Sequence, residues 1–318
     1  MPLPTAVRGR HRCDHRPTYD RAMITVPPSF RRMPRWWTDS VGREWLDSLP
    51  DLVADQCGRW GLSVDGPVMH GSNALVVPVR RGAHEFVLRM APPGDDVGAE
   101  AAALRTWDGR GTVRLHDADV EHRAMLLERL DGSRTLADEP LEDAIRVLAE
   151  LVTTLAVPVA RTVRGTDEIA AEHAATFERE WTTRGAPIPR RQLDVAIRCA
   201  DSRARDRASS SAVDGDLHFD QVLAGTRMPW AVVDPLMLRG DPEYDLGRIL
   251  WSRLDEVPDE AGVVRVFDLF VERAGVPADR ARDWVVIRSV SYLLWGLRHG
   301  LTEDPPRCRR LLDVFAGR

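Results

Sequence analysis

The hydrophobic periodicity of the chain changes near Gly132, and this change limits the fold more than any other feature of the sequence. Between residues 68 and 130, β-branched and other apolar runs alternate with turn-forming residues, and one helical pattern, residues 98–107, interrupts them. After Gly132, apolar residues recur at helical spacing, as in the stripe that begins at Leu141. Strands followed by helices predict a two-lobed α+β fold with a small, mostly antiparallel N-terminal sheet and a larger helical C-terminal lobe.

The same pattern predicts the domain boundaries. Residues 1–34 combine Pro, Arg and His with little apolar periodicity, and we expect a disordered extension in which Met23 is a second candidate start. Residues 35–132 are expected to form the N-terminal lobe with a leading helix, and residues 133–318 the C-terminal lobe. In the C-terminal lobe we expect strands at 222–224 and 230–233, and helices at about 167–183, 191–208, 242–254, 261–274 and 278–300.

The composition excludes several classes of protein. No apolar run approaches the length of a membrane span, and no apolar segment follows the N-terminal arginines, so we expect neither insertion nor export. The four cysteines are far apart and form no CxxC pair, which favours a reducing cytoplasm over a disulfide framework or a zinc ribbon. The net charge of −5 indicates that the protein has no basic surface for binding nucleic acid. An acidic protein would still accept a cationic small molecule as substrate. The sequence leaves the oligomeric state open.

The chain contains no lysine, because all 44 of its Lys and Arg residues are arginine. A Walker A loop, a Schiff-base mechanism and an SxxK nucleophile pair each require a lysine. These three kinds of active site are therefore excluded.

The segment 212–251 carries seven acidic residues and one histidine among short apolar runs and turn residues. Carboxylates beside an apolar core are costly to desolvate and need a partner, a metal or a reaction. Asp216 and Asp234, eighteen residues apart, each end a short apolar segment, so they can share a divalent cation and a phosphate oxygen. An acid and base pair of a glycoside hydrolase is the alternative, but the N-terminal lobe would then have no role. A ligand is expected in a cleft between the lobes.

The stretches "GDLHFDQVL" and "PWAVVDPLMLRGDPEYDLGRILW" resemble the catalytic core of the aminoglycoside/hydroxyurea antibiotic resistance kinases. This group contains streptomycin phosphotransferases and lies within the aminoglycoside phosphotransferase and protein-kinase-like fold. The stretches "FVLRMAPP", "EAAALRTWDGRGTVRL" and "MLLERL" extend the resemblance from about Trp37 onward. It implies Mg²⁺- and ATP-dependent phosphorylation of a hydroxyl on a small antibiotic or drug, either a streptomycin-like aminoglycoside or hydroxyurea, and hence resistance.

The resemblance also implies roles for residues of the acidic segment. Asp216 falls on the catalytic aspartate that accepts or orients the proton of the acceptor hydroxyl. Asp234 falls on the magnesium-binding aspartate. Gln221 stands where the family has an asparagine as second metal ligand, and its oxygen lies one methylene further from the backbone. Asp214 replaces a histidine, and a second carboxylate so close to Asp216 favours a proton on one of them.

The residues implied for the nucleotide lie further upstream. Arg89 stands in place of the lysine that grips the phosphates, and Glu100 would be its ion-pair partner; arginine keeps the charge but is not equivalent to lysine. The turn Gly71, Ser72 and Asn73 would cover the phosphates. Backbone groups of a hinge from Glu128 to Leu130 would meet adenine.

Other acidic residues of the segment have structural explanations. Asp241 is predicted to cap the helix that begins at Pro242, and Asp245 to anchor the catalytic loop. His218 fits loop packing and the active site equally well. The departures at Arg89, Gln221 and Asp214 leave a second hypothesis open: a kinase-shaped protein that binds nucleotide or antibiotic with impaired or no catalysis.

Overall fold

The computed structural model describes residues 24–33, 40–206 and 209–317. Its contacts divide the chain into two compact units, each with its own apolar core. The first unit contains the described residues up to Asp95 together with Ala118–Leu126, and the second contains Asp96–Asp117 and the residues from Leu127 onward. Residues 96–117, which the sequence groups with the N-terminal lobe, thus belong to the second unit, and the division at residue 132 stays a prediction.

The core of the first unit contains a mostly antiparallel sheet. Strands β3 and β4 pair antiparallel, and their alternating side chains bury Leu75, Val77 and Val79 on one strand and Leu88 on the other. The strand order is β1-β3-β4-β6-β5, with β2 also on β3. The strands are β1 (Ser63–Val64), β2 (Met69–His70), β3 (Leu75–Arg81), β4 (His84–Met90), β5 (Leu115–Asp119) and β6 (Ala124–Glu128).

In the part of the first unit that the structure describes, the helices are α1 (Pro28–Arg31) and α2 (Ser40–Trp60). Phe30 on α1 is fully buried and meets Trp45 of α2 edge to face, with ring centroids 6.1 Å apart. Ile24 and Val26 are buried in the same core. The prediction of a disordered extension up to residue 34 is therefore wrong for residues 24–33, because three apolar side chains hold this segment; residues 1–23 and 34 lie outside the described part.

The second unit is mainly helical, with short strands between the helices. Among the described residues its helices are α3 (Val97–Trp107), α4 (Leu141–Leu155), α5 (Thr166–Thr183), α6 (Arg190–Arg205), α7 (Leu246–Ser252), α8 (Glu260–Ala274), α9 (Ala278–Arg298) and α10 (Asp304–Phe315). Its strands are β7 (Asp131–Thr135), β8 (Ala212–Asp214), β9 (Val222–Ala224), β10 (Trp230–Val232) and β11 (Met237–Arg239). Strand β9 pairs with β10 and β7, and β8 pairs with β11.

The helix ends follow from local capping chemistry. The Asp96 side chain accepts a hydrogen bond from the Ala99 amide at the start of α3, and Asp259 does the same for Gly262 at the start of α8. Helix α8 ends at Ala274, and the Gly275 that follows caps it. Its φ of 65° is a left-handed conformation that glycine adopts without strain.

The periodic pattern predicts most of these helices, with two differences. Residues 242–254 form a 3₁₀ turn, the seven-residue α7 and the start of a second 3₁₀ turn instead of one helix, and α10 was not predicted. The predicted α+β class is confirmed. Among the described residues, no helix has both the length and the apolar character needed to cross a bilayer.

Candidate active site

The ladder between β8 and β11 joins the two halves of the acidic segment. Asp214 lies opposite Met237 in this ladder, and the Gly215 amide donates to the Leu236 carbonyl at 2.8 Å. A Cβ at Gly215 would lie 2.6 Å from a methyl carbon of Leu238, so this close approach requires glycine. The ladder thereby holds the loop after β8 beside the loop before β11.

Asp214 links these two loops through its side chain. Its Oδ1 accepts hydrogen bonds from the Asp216 amide at 3.2 Å and from the Leu236 amide at 3.1 Å. The side chain is buried, and both Asp216 and Asp234 are close enough to repel its charge. The backbone at Asp216 and the loop that follows Asp234, eighteen residues apart in sequence, therefore meet at the same buried carboxyl group.

Asp216 and Asp234 differ in their surroundings. The Asp216 side chain is 52% exposed, and its Oδ1 lies 3.4 Å from Nε of Arg248. Asp234 has a φ of 55°, a left-handed conformation that aspartate and asparagine tolerate better than other non-glycine residues. The backbone thus turns sharply at Asp234.

Gln221 is attached to the Asp234 loop at two points. Its Nε2 donates to the Asp234 carbonyl at 2.8 Å, and its own carbonyl accepts from the Val233 amide at 2.9 Å. The Oε1 of Gln221 is buried and has no hydrogen-bond partner among the described residues. A buried amide oxygen that lacks a donor, beside a loop that carries a carboxylate, fits the all-oxygen ligand set of Mg²⁺.

Two buried carboxyls beneath the loop have shifted pKa values. Burial raises the pKa of Asp214 from 3.8 to about 8, opposed by the Leu236 and Asp216 amides. Burial also raises the pKa of Asp245 well above its ordinary value, and repulsion from Asp214 adds to this effect. Arg288 and the Leu217 backbone amide oppose the shift at Asp245, but both Asp245 carboxylate oxygens lack a hydrogen-bond partner among the described residues, so its role as an anchor of the catalytic loop stays a prediction.

The raised pKa of Asp214 predicts a loss of stability with rising pH. Between its ordinary value of 3.8 and about 8, the folded protein keeps a proton on Asp214 that the unfolded chain releases. The contribution of the protonated Asp214 to the free energy of unfolding is therefore complete below about pH 4. It is lost as the pH rises through about 8. Asp214→Asn is neutral at every pH and keeps an acceptor oxygen, so we expect its stability relative to the wild type to increase from pH 5 to pH 8.5.

Urea denaturation of both proteins at these two pH values, without nucleotide or metal, measures this difference. Equal shifts of the urea midpoint with pH in the two proteins would contradict the assignment.

The phosphate-covering residues predicted in the first unit lie on or next to its sheet. Gly71, Ser72 and Asn73 form the turn between β2 and β3, where the Gly71 amide donates to the Ala74 carbonyl at 3.1 Å. The side-chain amide of Asn73 donates to Asp95. Arg89 lies on β4, opposite Val76, and is only 6% exposed.

Three predicted nucleotide residues belong to the second unit. Glu100 is half-buried in the first turn of α3, and Leu130 is half-buried between β6 and β7. Glu128 ends β6; its carboxylate accepts from Nη2 of Arg227 at 2.8 Å and from the Arg114 amide at 3.1 Å. The Glu128 amide itself donates to the Arg114 carbonyl at 2.9 Å. The ion pair between Arg89 and Glu100 stays a prediction.

Asp241 does not cap a helix as predicted. Its side chain makes no cap hydrogen bond to the 3₁₀ turn Pro242–Asp245, and its Oδ2 accepts from Nε1 of Trp284 at 2.9 Å instead. The buried indole N–H needs an acceptor, and the carboxylate of Asp241 supplies one. His218 pairs with Asp220 at 3.5 Å.

Sequence reasoning missed the basic and aromatic residues that contact the loop. Arg288 on α9 donates to the Tyr244 hydroxyl at 2.9 Å and to the Gly215 carbonyl at 3.3 Å. Arg248 on α7 contacts Asp216 and Tyr292. One pattern in the sequence could have indicated them: Arg288 and Tyr292 are four residues apart in the mainly apolar stretch "VVIRSVSYLLW". Residues at this spacing lie on the same face of a helix.

The fold is that of the protein-kinase-like phosphotransferases. A thermostable mutant of aminoglycoside phosphotransferase APH(4)-Ia, in ternary complex with AMP-PNP and hygromycin B, superposes with a TM-score of 0.59 at 19% identity, over 85% of this chain and 100% of that chain. Choline kinase LicA from Streptococcus pneumoniae gives a TM-score of 0.54 at 10% identity, over 85% and 99% of the two chains. The predicted kinase-like fold is confirmed.

The chain belongs to the aminoglycoside/hydroxyurea antibiotic resistance kinase family, whose model matches residues 59–300. It is 38% identical to a streptomycin 6-kinase of Streptomyces glaucescens over 87% of this chain and 92% of that protein. It is 36% identical to a hydroxyurea phosphotransferase of Kitasatospora aureofaciens over 93% of this chain and 87% of that protein. The predicted family is confirmed, and the protein is a small-molecule kinase.

Proposed function

We propose that this kinase transfers the γ-phosphoryl group of ATP to a hydroxyl of a streptomycin-like aminoglycoside or of hydroxyurea, and so confers resistance. The arrangement around Asp214 carries the proposal: its side chain accepts from the backbone of Asp216, whose carboxylate is half-exposed, and from the loop after Asp234, to which Gln221 is hydrogen-bonded. The streptomycin 6-kinase and hydroxyurea phosphotransferase relatives supply the two candidate acceptors.

Asp216 would be the catalytic residue. Its exposed carboxylate can accept the hydrogen of an acceptor hydroxyl, which orients the oxygen toward the γ-phosphorus. The acceptor oxygen then forms the new P–O bond, the bond from the γ-phosphorus to the bridging oxygen breaks, and ADP leaves with that electron pair. The hydroxyl proton passes to Asp216. Because the transition state is loose, orientation matters more than the basicity of the carboxylate.

Asp234 and Gln221 would hold Mg²⁺ through a carboxylate and an amide oxygen. When bound, the cation would neutralise charge on the transferred phosphate. The role of the chain is to fix both ligands, and the hydrogen bond from Nε2 of Gln221 to the Asp234 carbonyl does this by orienting the amide. The longer glutamine side chain thus has its own anchor.

The nucleotide would be bound by the residues that the family resemblance implies. Arg89 would bind phosphate oxygens with Glu100 as its partner, and the turn from Gly71 to Asn73, with Ser72 at its centre, would cover the phosphates. The Glu128 amide already donates to Arg114, so adenine would meet the Glu128 carbonyl and the Leu130 amide. Arginine on β4 retains the positive charge that the absent lysine would supply.

We also propose that the protein acts in the cytoplasm, without a nucleic-acid or membrane partner. Three cysteines among the described residues are free thiols, buried or half-buried, which suits a reducing compartment. Its partners would be ATP and the small-molecule acceptor.

Transfer to a named acceptor tests the proposal. We expect the purified protein to release ADP from Mg²⁺ and ATP when streptomycin or hydroxyurea is added, and mass spectrometry to find one phosphoryl group on that acceptor. Tight ATP binding without transfer to either compound would reject this acceptor assignment and favour the alternative of a kinase-shaped binding protein.

A further inference from the structure

The catalytic loop contacts a cluster of polar and aromatic side chains that no family motif identified. Arg248 extends from α7, and its Nε lies 3.4 Å from Oδ1 of Asp216. Nη1 of Arg248 donates to the Tyr292 hydroxyl at 3.3 Å, and that hydroxyl donates to Oδ2 of Asp304 at 3.1 Å. A continuous series of polar contacts therefore runs from the start of α10 to the carboxylate of Asp216.

Aromatic rings hold the guanidinium of Arg248 in place. Its Cζ lies 5.4 Å from the ring centroid of Tyr292 and 5.9 Å from that of Trp251. Tyr292 is itself stacked between Trp251 at 4.6 Å and Trp295 at 5.3 Å. Since the rings and the hydroxyl both restrain Arg248, its guanidinium is preorganised toward Asp216.

This contact differs from an ordinary surface ion pair. Exposed pairs contribute little because two long side chains must be ordered in water. Here the Arg248 side chain is only 19% exposed, and its buried Nε has no hydrogen-bond partner among the described residues. The Asp216 carboxylate is the more exposed member of the pair, at 52%, so few protein contacts other than Arg248 can orient it.

We propose that Arg248 is a positioning residue that holds the Asp216 carboxylate in the orientation needed to receive the acceptor hydroxyl, and that Tyr292 and Asp304 fix Arg248. This inference rests on the proposed function, because it requires Asp216 to face the acceptor. A restrained carboxylate aligns the hydroxyl with the γ-phosphorus, and a misplacement of about 1 Å can cost roughly 100-fold in rate. Asp220, whose pKa is lowered first by His218 and also by Arg248, is a further carboxylate that interacts with this guanidinium.

The test is a double-mutant cycle with the acceptor that the wild type phosphorylates, streptomycin or hydroxyurea. Arg248→Met is expected to lower kcat by roughly 10- to 100-fold while KM for the acceptor and Kd for ATP change by less than about twofold. Tyr292→Phe keeps the ring and removes the hydroxyl, so kcat should fall by a smaller factor. The double variant should be no slower than Arg248→Met alone, because both changes act through the same carboxylate.

Arg203→Met is the matched control. Arg203 is also well buried, at 9% exposure, and it pairs with Asp206 and Asp283 at 3.0 and 3.1 Å, away from the catalytic loop. Its loss should lower the melting temperature without changing kcat. Arg248→Lys, which retains the charge, should recover part of the lost kcat and keeps the test valid if Arg248→Met does not fold.

The outcomes separate the inference from the proposed function. Asp216→Asn with wild-type turnover, or no transfer to either acceptor, would overturn the proposed function and the inference together. An inactive Asp216→Asn combined with wild-type kcat in Arg248→Met would overturn only the positioning role. Additive losses in the double variant would also overturn that role, because Tyr292 would then act independently of Arg248.

Discussion

Asp216→Asn is expected to lower kcat for phosphoryl transfer by roughly 10²- to 10⁴-fold, the range typical of a lost general base. The amide cannot take up the hydroxyl proton, yet it has nearly the same size as the carboxylate and keeps the loop backbone unchanged. The Asp216 amide would still donate to Asp214, which holds the loop in place. ATP affinity should therefore change by less than about twofold, because the proposed role of Asp216 is toward the acceptor and not the nucleotide.

The measurement combines steady-state kinetics with isothermal titration of a non-hydrolysable ATP analogue. Asp143→Asn provides the control, because Asp143 is an exposed residue of α4 that pairs with Arg146. Turnover in Asp216→Asn equal to that of this control would rule out Asp216 as the catalytic residue.

Asp234→Asn is expected to weaken metal binding more than any other single change. An amide loses the negative charge that a hard divalent cation prefers. Asparagine still tolerates the left-handed backbone at this position, where φ is 55°, so the loop should keep its shape. We expect the Mg²⁺ concentration for half-maximal transfer to increase by at least about tenfold, the lower end of the effect of disturbed metal sites.

Two readouts test the metal assignment. Titration with Mn²⁺ in the presence of the ATP analogue should show the same loss of affinity as the activity measurement. Asp194→Asn, an exposed partner of Arg190 on α6, should behave like the wild type in both. If Asp234→Asn binds Mn²⁺ as tightly as this control, the cation is held elsewhere.

A substitution at Gln221 tests whether the length of this side chain matters for activity. Gln221→Asn restores the shorter side chain that the family resemblance implies but removes the reach by which Nε2 contacts the Asp234 carbonyl. A gain in activity would identify the longer side chain as a defect, whereas a loss would support the anchor seen in the structure.

Helices with a clear amphipathic stripe could be predicted from the sequence alone. Helix α4 spans Leu141–Leu155, as its apolar spacing predicts. The reason is that a helix packed on one face buries a residue at every third or fourth position, and this spacing is visible in the sequence. Helix α10 was not predicted: it begins with Asp304 and two prolines, and two arginines separate its buried Cys308 from its buried Leu311. Prolines suit the first turn of a helix, but only packing shows that a helix follows.

Strands β8 and β11 could not be predicted in the same way, although β9 and β10 lie where the sequence predicts strands. Strands β8 and β11 pair over only three residues each. A three-residue strand has little local preference, and its hydrogen bonds exist only when the partner strand is already in place. Only tertiary pairing could place the loop carrying Asp234 beside the loop carrying Asp216.

The sequence by itself determined the fold class and the family, and it singled out the two aspartates of the proposed site, because hydrophobic periodicity and motif spacing are local properties of the chain. Tertiary structure decided the surroundings of those aspartates: the burial that raises the pKa of Asp214, and the approach of Arg248, Tyr292 and Asp304 to Asp216. These side chains come from three separate helices and a strand, and their interaction depends on distance and burial. Neither quantity exists until the chain has folded.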